Sequence, residues 1–247
     1  MNLADTISFA SSSLRGARTR TLLMVLATAV PIRAPTRFQA AAQSTAMRGV
    51  STFVDTTVAI ALADDVAWDP HSLPVGVIGR MSSGESPADL QVLPMNHLGR
   101  EAPRLGLVMV ALMEVRSRGR VTVGAVRPVA TPDIDFAMLS DEQDVRRLGI
   151  GVEQVRRVLD HDAMRSLGTP MIPPSDRVGL RSNLGDYVHA AGTCAIGRVV
   201  DPQCRVIGYE GLRVCDASVM PDLPRANTHL TTVVIAERSA DLIRRGY

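Results

Sequence analysis

The chain has 247 residues, 46% of them apolar, and a formal net charge of only +2. That composition is enough for a real core and excludes disorder as the default. The near-balanced charge and the 3% aromatic content exclude a general nucleic-acid, membrane-surface or base-stacking role. The length allows one large domain or two small ones. All 27 basic residues are Arg. Cys194, Cys204 and Cys215 are odd in number and lack Cys-x-x-Cys spacing. They read as buried, unpaired thiols of a reducing compartment rather than zinc ligands, and no metal site is expected.

Residues 1 to about 60 are rich in Ala, Ser, Thr and Arg. Thr21 to Ile32 is apolar, comes after Arg15, Arg18 and Arg20, and resembles a secretory leader with an over-long start. A buried helix, or a start codon placed in sequence foreign to the fold, competes with that reading. No stretch reaches the ~18–20 apolar residues of a membrane span. The expected location is cytoplasmic, with the leader-like stretch leaving export open. No Gly-x-Gly-x-x-Gly comes after a strand, and the P-loop pattern is missing. Gly84-Glu85-Ser86-Pro87-Ala88 lacks the final Gly of a serine-hydrolase elbow.

From Leu73 the pattern becomes strand-like. Leu73 to Ile78 reads as a strand, Gly79 to Pro87 as a turn cluster, and Asp89 to Leu93 as a second strand. Leu105 to Val115 reads as a central strand. Arg116, Arg118 and Arg120 fall in a turn into the next strand and read as a solvated hairpin. Thr131 to Asp135 is a turn leading to an extended segment. Ser140 is the expected N-cap of a helix whose buried face is Val145, Leu148, Val152, Val155 and Leu159. Beyond that helix, Pro170, Pro173 and Pro174 interrupt any regular element. His71, His97 and His161 have no supporting partners in the pattern and receive no role.

The last quarter has the grammar of a site. His189 stands just before Gly192-Thr193, a small-residue turn that admits another backbone or a ligand. Leu212 to Cys215 reads as a short strand that Asp216 ends. Asn227-Thr228-His229 precedes a helix in which Thr231, Val234, Ala236 and Ala240 recur every three to four positions, with Leu242 and Ile243 after them. Unpaired N–H groups at such a helix start can face a negative ligand group. An imidazole suits a general base because its pKa lies near neutrality. The plainer readings are a turn-holding His189, a capping Asn227 and a strand-end Asp216.

These elements, in order, resemble the C-terminal signature of the glucose–methanol–choline (GMC) flavoprotein oxidoreductases. The resemblance rests on His189, Gly192-Thr193-Cys194, Val200-Asp201-Pro202 and Gly211-Leu212-Arg213-Val214-Cys215-Asp216-Ala217-Ser218 with Pro221. Asn227, His229 and Ala236-Glu237-Arg238 through Ala240-Asp241-Leu242-Ile243 extend it. Upstream, Pro87 to Gln91 resembles the family's Pro-Asp-Leu-Gln segment with one inserted residue. Arg116 to Val121 resembles its Ser-Arg-Gly turn without the Pro. The match runs from about Leu73 to Ile243.

The resemblance implies an α/β (α+β) fold. Residues 73–188 would form a substrate domain on an antiparallel sheet, and residues 189–247 would complete an FAD-binding domain and the active site. Residues 1–72 are unassigned, and the N-terminal Rossmann unit with its glycine fingerprint is missing. It implies FAD-dependent oxidation of an alcohol CH–OH group to a carbonyl, with His189 as base and Asn227 positioning the alcohol. Asp216, Ala217, Thr228 and His229 would contact the cofactor. The implied partners are a small-molecule alcohol and a separate N-terminal FAD-binding half. The competing reading is a truncated, non-catalytic remnant or binding module, inactive without that half.

Overall fold

The structure is a computed structural model describing residues 46–67, 69, 71, 73–95, 104–122 and 132–246. The leader-like Thr21–Ile32 stretch and His97 lie outside the described residues. The chain divides into two compact units, residues 1–47 with 121–134 and residues 48–120 with 135–247. In the first, only 46–47, 121–122 and 132–134 are described, in or beside short strands. The second holds every candidate site residue.

In chain order the strands are β1 (Ala46–Val50), β2 (Val54–Leu62), β3 (Gly79–Met81), β4 (Leu90–Met95), β5 (Leu105–Leu112), β6 (Gly119–Thr122) and β7 (Asp133–Asp135). Then come helices α1 (Glu142–Leu159) and α2 (Asp162–Arg165), strand β8 (Gly168–Met171), helix α3 (Arg177–Ser182) and strand β9 (Leu184–Asp186). A 3-10 turn at Ala217–Val219 and helix α4 (Thr228–Arg244) finish the chain. β1, β6 and β7 form a three-stranded sheet in the order β1-β6-β7. The larger sheet has the order β3-β4-β5-β2-β8, with β9 also paired to β2. Its pairings are antiparallel, from Val54↔Leu112 to Ala61↔Leu105 between β2 and β5. The fold is thus α+β, as the sequence implies.

β5 sits mid-sheet, as its continuous apolar run predicts, and α1 packs on it. Val145, Leu148, Val152, Val155 and Leu159 are all buried in one cluster with Val58, Leu90, Val110 and Leu112. Gly151 permits that approach, since a Cβ there would lie 2.9 Å from Val110 Cγ1 and 3.2 Å from Leu90 Cδ1. Glu142 and Asp144 in the first turn and Arg156 and Arg157 in the last complement the helix dipole.

Several expectations are corrected. Asp141, not Ser140, caps α1, its carboxylate accepting from Gln143 N at 2.8 Å. Leu73 to Ile78 forms no strand; Leu73, Val77 and Ile78 are exposed, and the edge strand β3 lies inside the expected turn cluster. β-branched residues favour an extended chain, but extension alone does not make a ladder. Leu212 to Cys215 is likewise not a regular strand. It makes one bridge, Arg205↔Arg213, beside the small cluster of Val200, Cys204, Val214 and Val219. α4 forms as expected but buries Thr228, Ser239 and Leu242, while Val234 is 66% exposed. β2 begins at Val54, in a region where the sequence shows no period.

Candidate active site

His189 comes after β9 through Tyr187 and Val188. Val188 has φ +54°, a left-handed conformation that a β-branched residue adopts only under strain. That turn lets the flanking rings meet. The Tyr187 and His189 centroids are 5.2 Å apart at 83°, and those of Phe53 and His189 are 5.6 Å apart at 77°. Phe53 is fully buried at the start of β2, so two aromatic walls hold the half-buried imidazole. Relieving the strain with Val188→Asn is expected to raise the free energy of unfolding by about 1 kcal/mol, read from urea denaturation.

Helix α4 supplies the facing groups. Thr228, the buried first residue of the helix, places Oγ1 3.1 Å from His189 Nδ1. Asn227 is the N-cap, but its side chain makes no capping hydrogen bond, so the plain capping reading fails. Its carboxamide lies near enough to the Tyr187 phenol to favour the ionised form of that phenol. Gln91 Nε2 donates to the same phenol oxygen at 2.7 Å, and Arg80 Nη1 donates to Gln91 Oε1 at 3.2 Å. His189 and Asn227 therefore meet the same ring from β9's end and α4's start. Burial raises the Tyr187 phenol above its ordinary value, against the lowering donors Gln91 and Asn227. The sequence reading overlooked Tyr187, Gln91 and Phe53. The signal available was a Tyr two positions before His189 and a Gln inside an apolar strand.

The remaining candidates lie on the 3-10 turn, the first turn of α4 and the loops between. Asp216 caps the 3-10 turn, its Oδ1 accepting from Ser218 N at 2.8 Å and from the Ser218 hydroxyl. Ala217 is the half-buried first residue of that turn. His229 is exposed on the first turn of α4. Gly192 has φ +93°, and a Cβ there would lie 2.7 Å from Gly49 O. The Gly192 turn thus admits a backbone, as the sequence suggests. Asp201 folds its own loop by accepting from Gln203 N and Arg205 N at 2.9 Å each. Burial pushes the thiols of Cys194 and Cys215 above the ordinary range, and Cys204 is buried. All three should react with a neutral-pH disulfide reagent far more slowly in folded than in urea-unfolded protein, a difference a thiol assay reads directly. Among the described residues no group of three or more His, Cys, Asp or Glu could hold a metal ion. No helix among them is long and apolar enough to cross a membrane.

Residues 115–236 match the family model described as GMC oxidoreductase. The chain is 35% identical over 192 residues to the 5-(hydroxymethyl)furfural oxidase of Methylovorus sp., covering 66% of this chain and 36% of that protein. It is 34% identical over 142 residues to an alcohol dehydrogenase (acceptor) of Pseudomonas putida, covering 53% of this chain and 26% of that one. In structure it resembles an FAD-dependent oxidoreductase from Chaetomium thermophilum. That likeness has a TM-score of 0.68 at 18% identity and covers 81% of this chain and 48% of the other. The chain belongs to the GMC oxidoreductase family, of which it carries the C-terminal part. It spans about a third or less of the length of these curated relatives.

Proposed function

We propose that this chain forms the substrate-binding and proton-abstracting part of an FAD-dependent oxidoreductase that converts an alcohol to a carbonyl. The observation that carries the reading is the 3.1 Å contact between Thr228 Oγ1 and His189 Nδ1, which brings the start of α4, with Asn227 as its N-cap, to the imidazole from a segment 39 residues away in sequence. The alcohol and dehydrogenase names of the relatives and the FAD of the structural neighbour support the reaction class.

In this reading Thr228 Oγ1 accepts from Nδ1–H of His189 and fixes the tautomer in which Nε2 carries the lone pair. Nε2 takes the hydroxyl proton of the alcohol. Asn227, a poor base, holds the alcohol oxygen through its carboxamide. Phe53 and Tyr187 shield the imidazole from water on two sides. FAD, when bound, supplies the hydride acceptor.

The residues fit the ring end of that cofactor. The first-turn N–H groups of α4 receive no side-chain cap from Asn227 and can meet a polar ring edge, with His229 beside them. Asp216 and Ala217 would lie along the same cofactor. The fit stops there. The chain has no glycine fingerprint. The pyrophosphate cradle would come from a separate N-terminal half. The purified chain should accordingly be colourless and bind added FAD weakly in an absorbance titration. A stoichiometric yellow complex would refute the need for that half. Loss of flavin colour on adding an alcohol, once the halves are joined, tests the reaction itself.

A further inference from the structure

Packing along α4 does little to fix where the helix begins. Its buried residues are Thr228, Ser239 and Leu242, while Leu230, Val233 and Val234 in its first half are exposed. The loop before it, residues 221–226, is held at three points instead. Leu223 packs against the main core cluster. On one side of it, Asp222 Oδ1 accepts from Arg118 Nη2 at 2.6 Å. On the other, Arg225 Nη2 lies 2.6 Å from Glu114 Oε2, and Arg225 Nη1 donates to Pro87 O at 3.0 Å. Ser86 Oγ donates to the same Glu114 oxygen at 2.6 Å.

Glu114 and Arg118 belong to the segment that leaves β5, and that segment is itself anchored. Arg147 Nη2 donates to Glu114 O at 2.7 Å, and Ser117 N donates to Asp144 at 2.7 Å. The two ion pairs are crossed in sign. The segment offers a carboxylate and then a guanidinium; the loop offers Asp222 and then Arg225, and the four pair in reverse order. The opposite seating would set Glu114 against Asp222 and Arg118 against Arg225, like charge on like. Partly exposed pairs of this kind add little stability, but they specify one placement of the loop.

We infer that Glu114, Arg118, Asp222 and Arg225 are positioning residues, whose crossed ion pairs seat the first turn of α4 on the exit of β5 and so set Thr228 Oγ1 against His189 Nδ1. The inference rests on the alcohol-oxidising reading only for its effect on turnover. Arg225 stands two residues before Asn227 and three before Thr228, so a shift of the loop moves both. A displaced Thr228 loosens the tautomer that its contact with Nδ1 selects.

The seating can be tested on the chain as it stands. The protein contains five histidines. With 15N-labelled histidine, the His189 signals are assigned by their loss in His189→Gln, and their shifts report the ratio of the two neutral tautomers. Arg225→Glu sets a carboxylate against Glu114 and should move that ratio toward the one of free histidine. Arg225→Lys keeps the charge and should recover part of the wild-type ratio. The urea midpoint should stay near that of the wild type in both, which separates seating from loss of fold. If Arg225→Glu does not fold, Asp222→Asn, at an exposed residue, reads the same ratio. An unchanged ratio in the folded variant would overturn the inference. In an FAD-loaded version, Arg225→Glu should lower kcat about 10-fold and Arg225→Lys less, because the base and its partner are misplaced. An unchanged kcat in Arg225→Glu would also overturn it. If even the loaded wild type fails to oxidise any alcohol, the oxidoreductase reading falls, while the tautomer ratio still decides the seating.

Discussion

His189→Ala is expected to lower kcat for alcohol oxidation by roughly 10²- to 10⁴-fold in the FAD-loaded protein, the usual worth of a positioned general base. The expectation comes from geometry. The Nδ1 edge of the ring is held by Thr228 at 3.1 Å, and its faces and edges are packed by Phe53 and Tyr187. Such a ring is pre-oriented, so little reorganisation accompanies proton transfer. Since neutral imidazole is the base, wild-type kcat should rise with pH through the imidazole titration. That rising limb should disappear in His189→Ala. Thr228→Ala should cost less, because it loosens the tautomer and leaves the base in place. Stopped-flow reduction of the bound flavin measures all three. A rate unchanged in His189→Ala would remove His189 from the chemistry.

How much of this was legible in the sequence depended on the kind of order involved. α1 was readable because it is amphipathic, and its five predicted core residues are all buried. β5 was readable because it is mid-sheet and apolar throughout, although Leu105, Leu107 and Met109 are only half-buried. β2, equally central, was not, because it opens Val54-Asp55-Thr56-Thr57 and buries Asp55 and Thr56. Buried polar residues in a two-sided strand erase both the alternation and the apolar run. Leu212 to Cys215 failed the opposite way: the apolar run is there, but its neighbours provide single bridges instead of a ladder. At the site, His189 and Asn227 were singled out through resemblance. The meeting of Tyr187 with His189 and with Gln91 could not be, because it depends on a left-handed Val188 and on a Gln donated from β4, 96 residues away.

The largest stability effect is expected at Asp144, a residue remote from the chemistry. Arg147 on α1 is 2% exposed. It donates to Asp144 Oδ1 at 2.8 Å and to Glu114 O at 2.7 Å, and lies 3.7 Å from the fully buried Asp89. Asp144 also accepts from Arg116 N at 3.0 Å, and from Ser117 N and Ser117 Oγ at 2.7 Å each. Asp89 in turn accepts from Ser83 N and Ser83 Oγ. This cluster ties α1 to the end of β5 and to the start of β4, so it fixes how the helix sits on the sheet. Burying such charges gives little net stabilisation, but removing one partner strands the others. Asp144→Ala leaves an incompletely paired buried guanidinium and two backbone N–H groups without acceptors. It should lower the unfolding free energy by about 3–5 kcal/mol, a large share of a domain's stability. The control is Glu85→Ala. It breaks an equally short pair with Arg146 at 2.6 Å, but that pair is exposed and should barely move the urea midpoint. If both variants shift the midpoint alike, the buried cluster is not what seats α1 on the sheet.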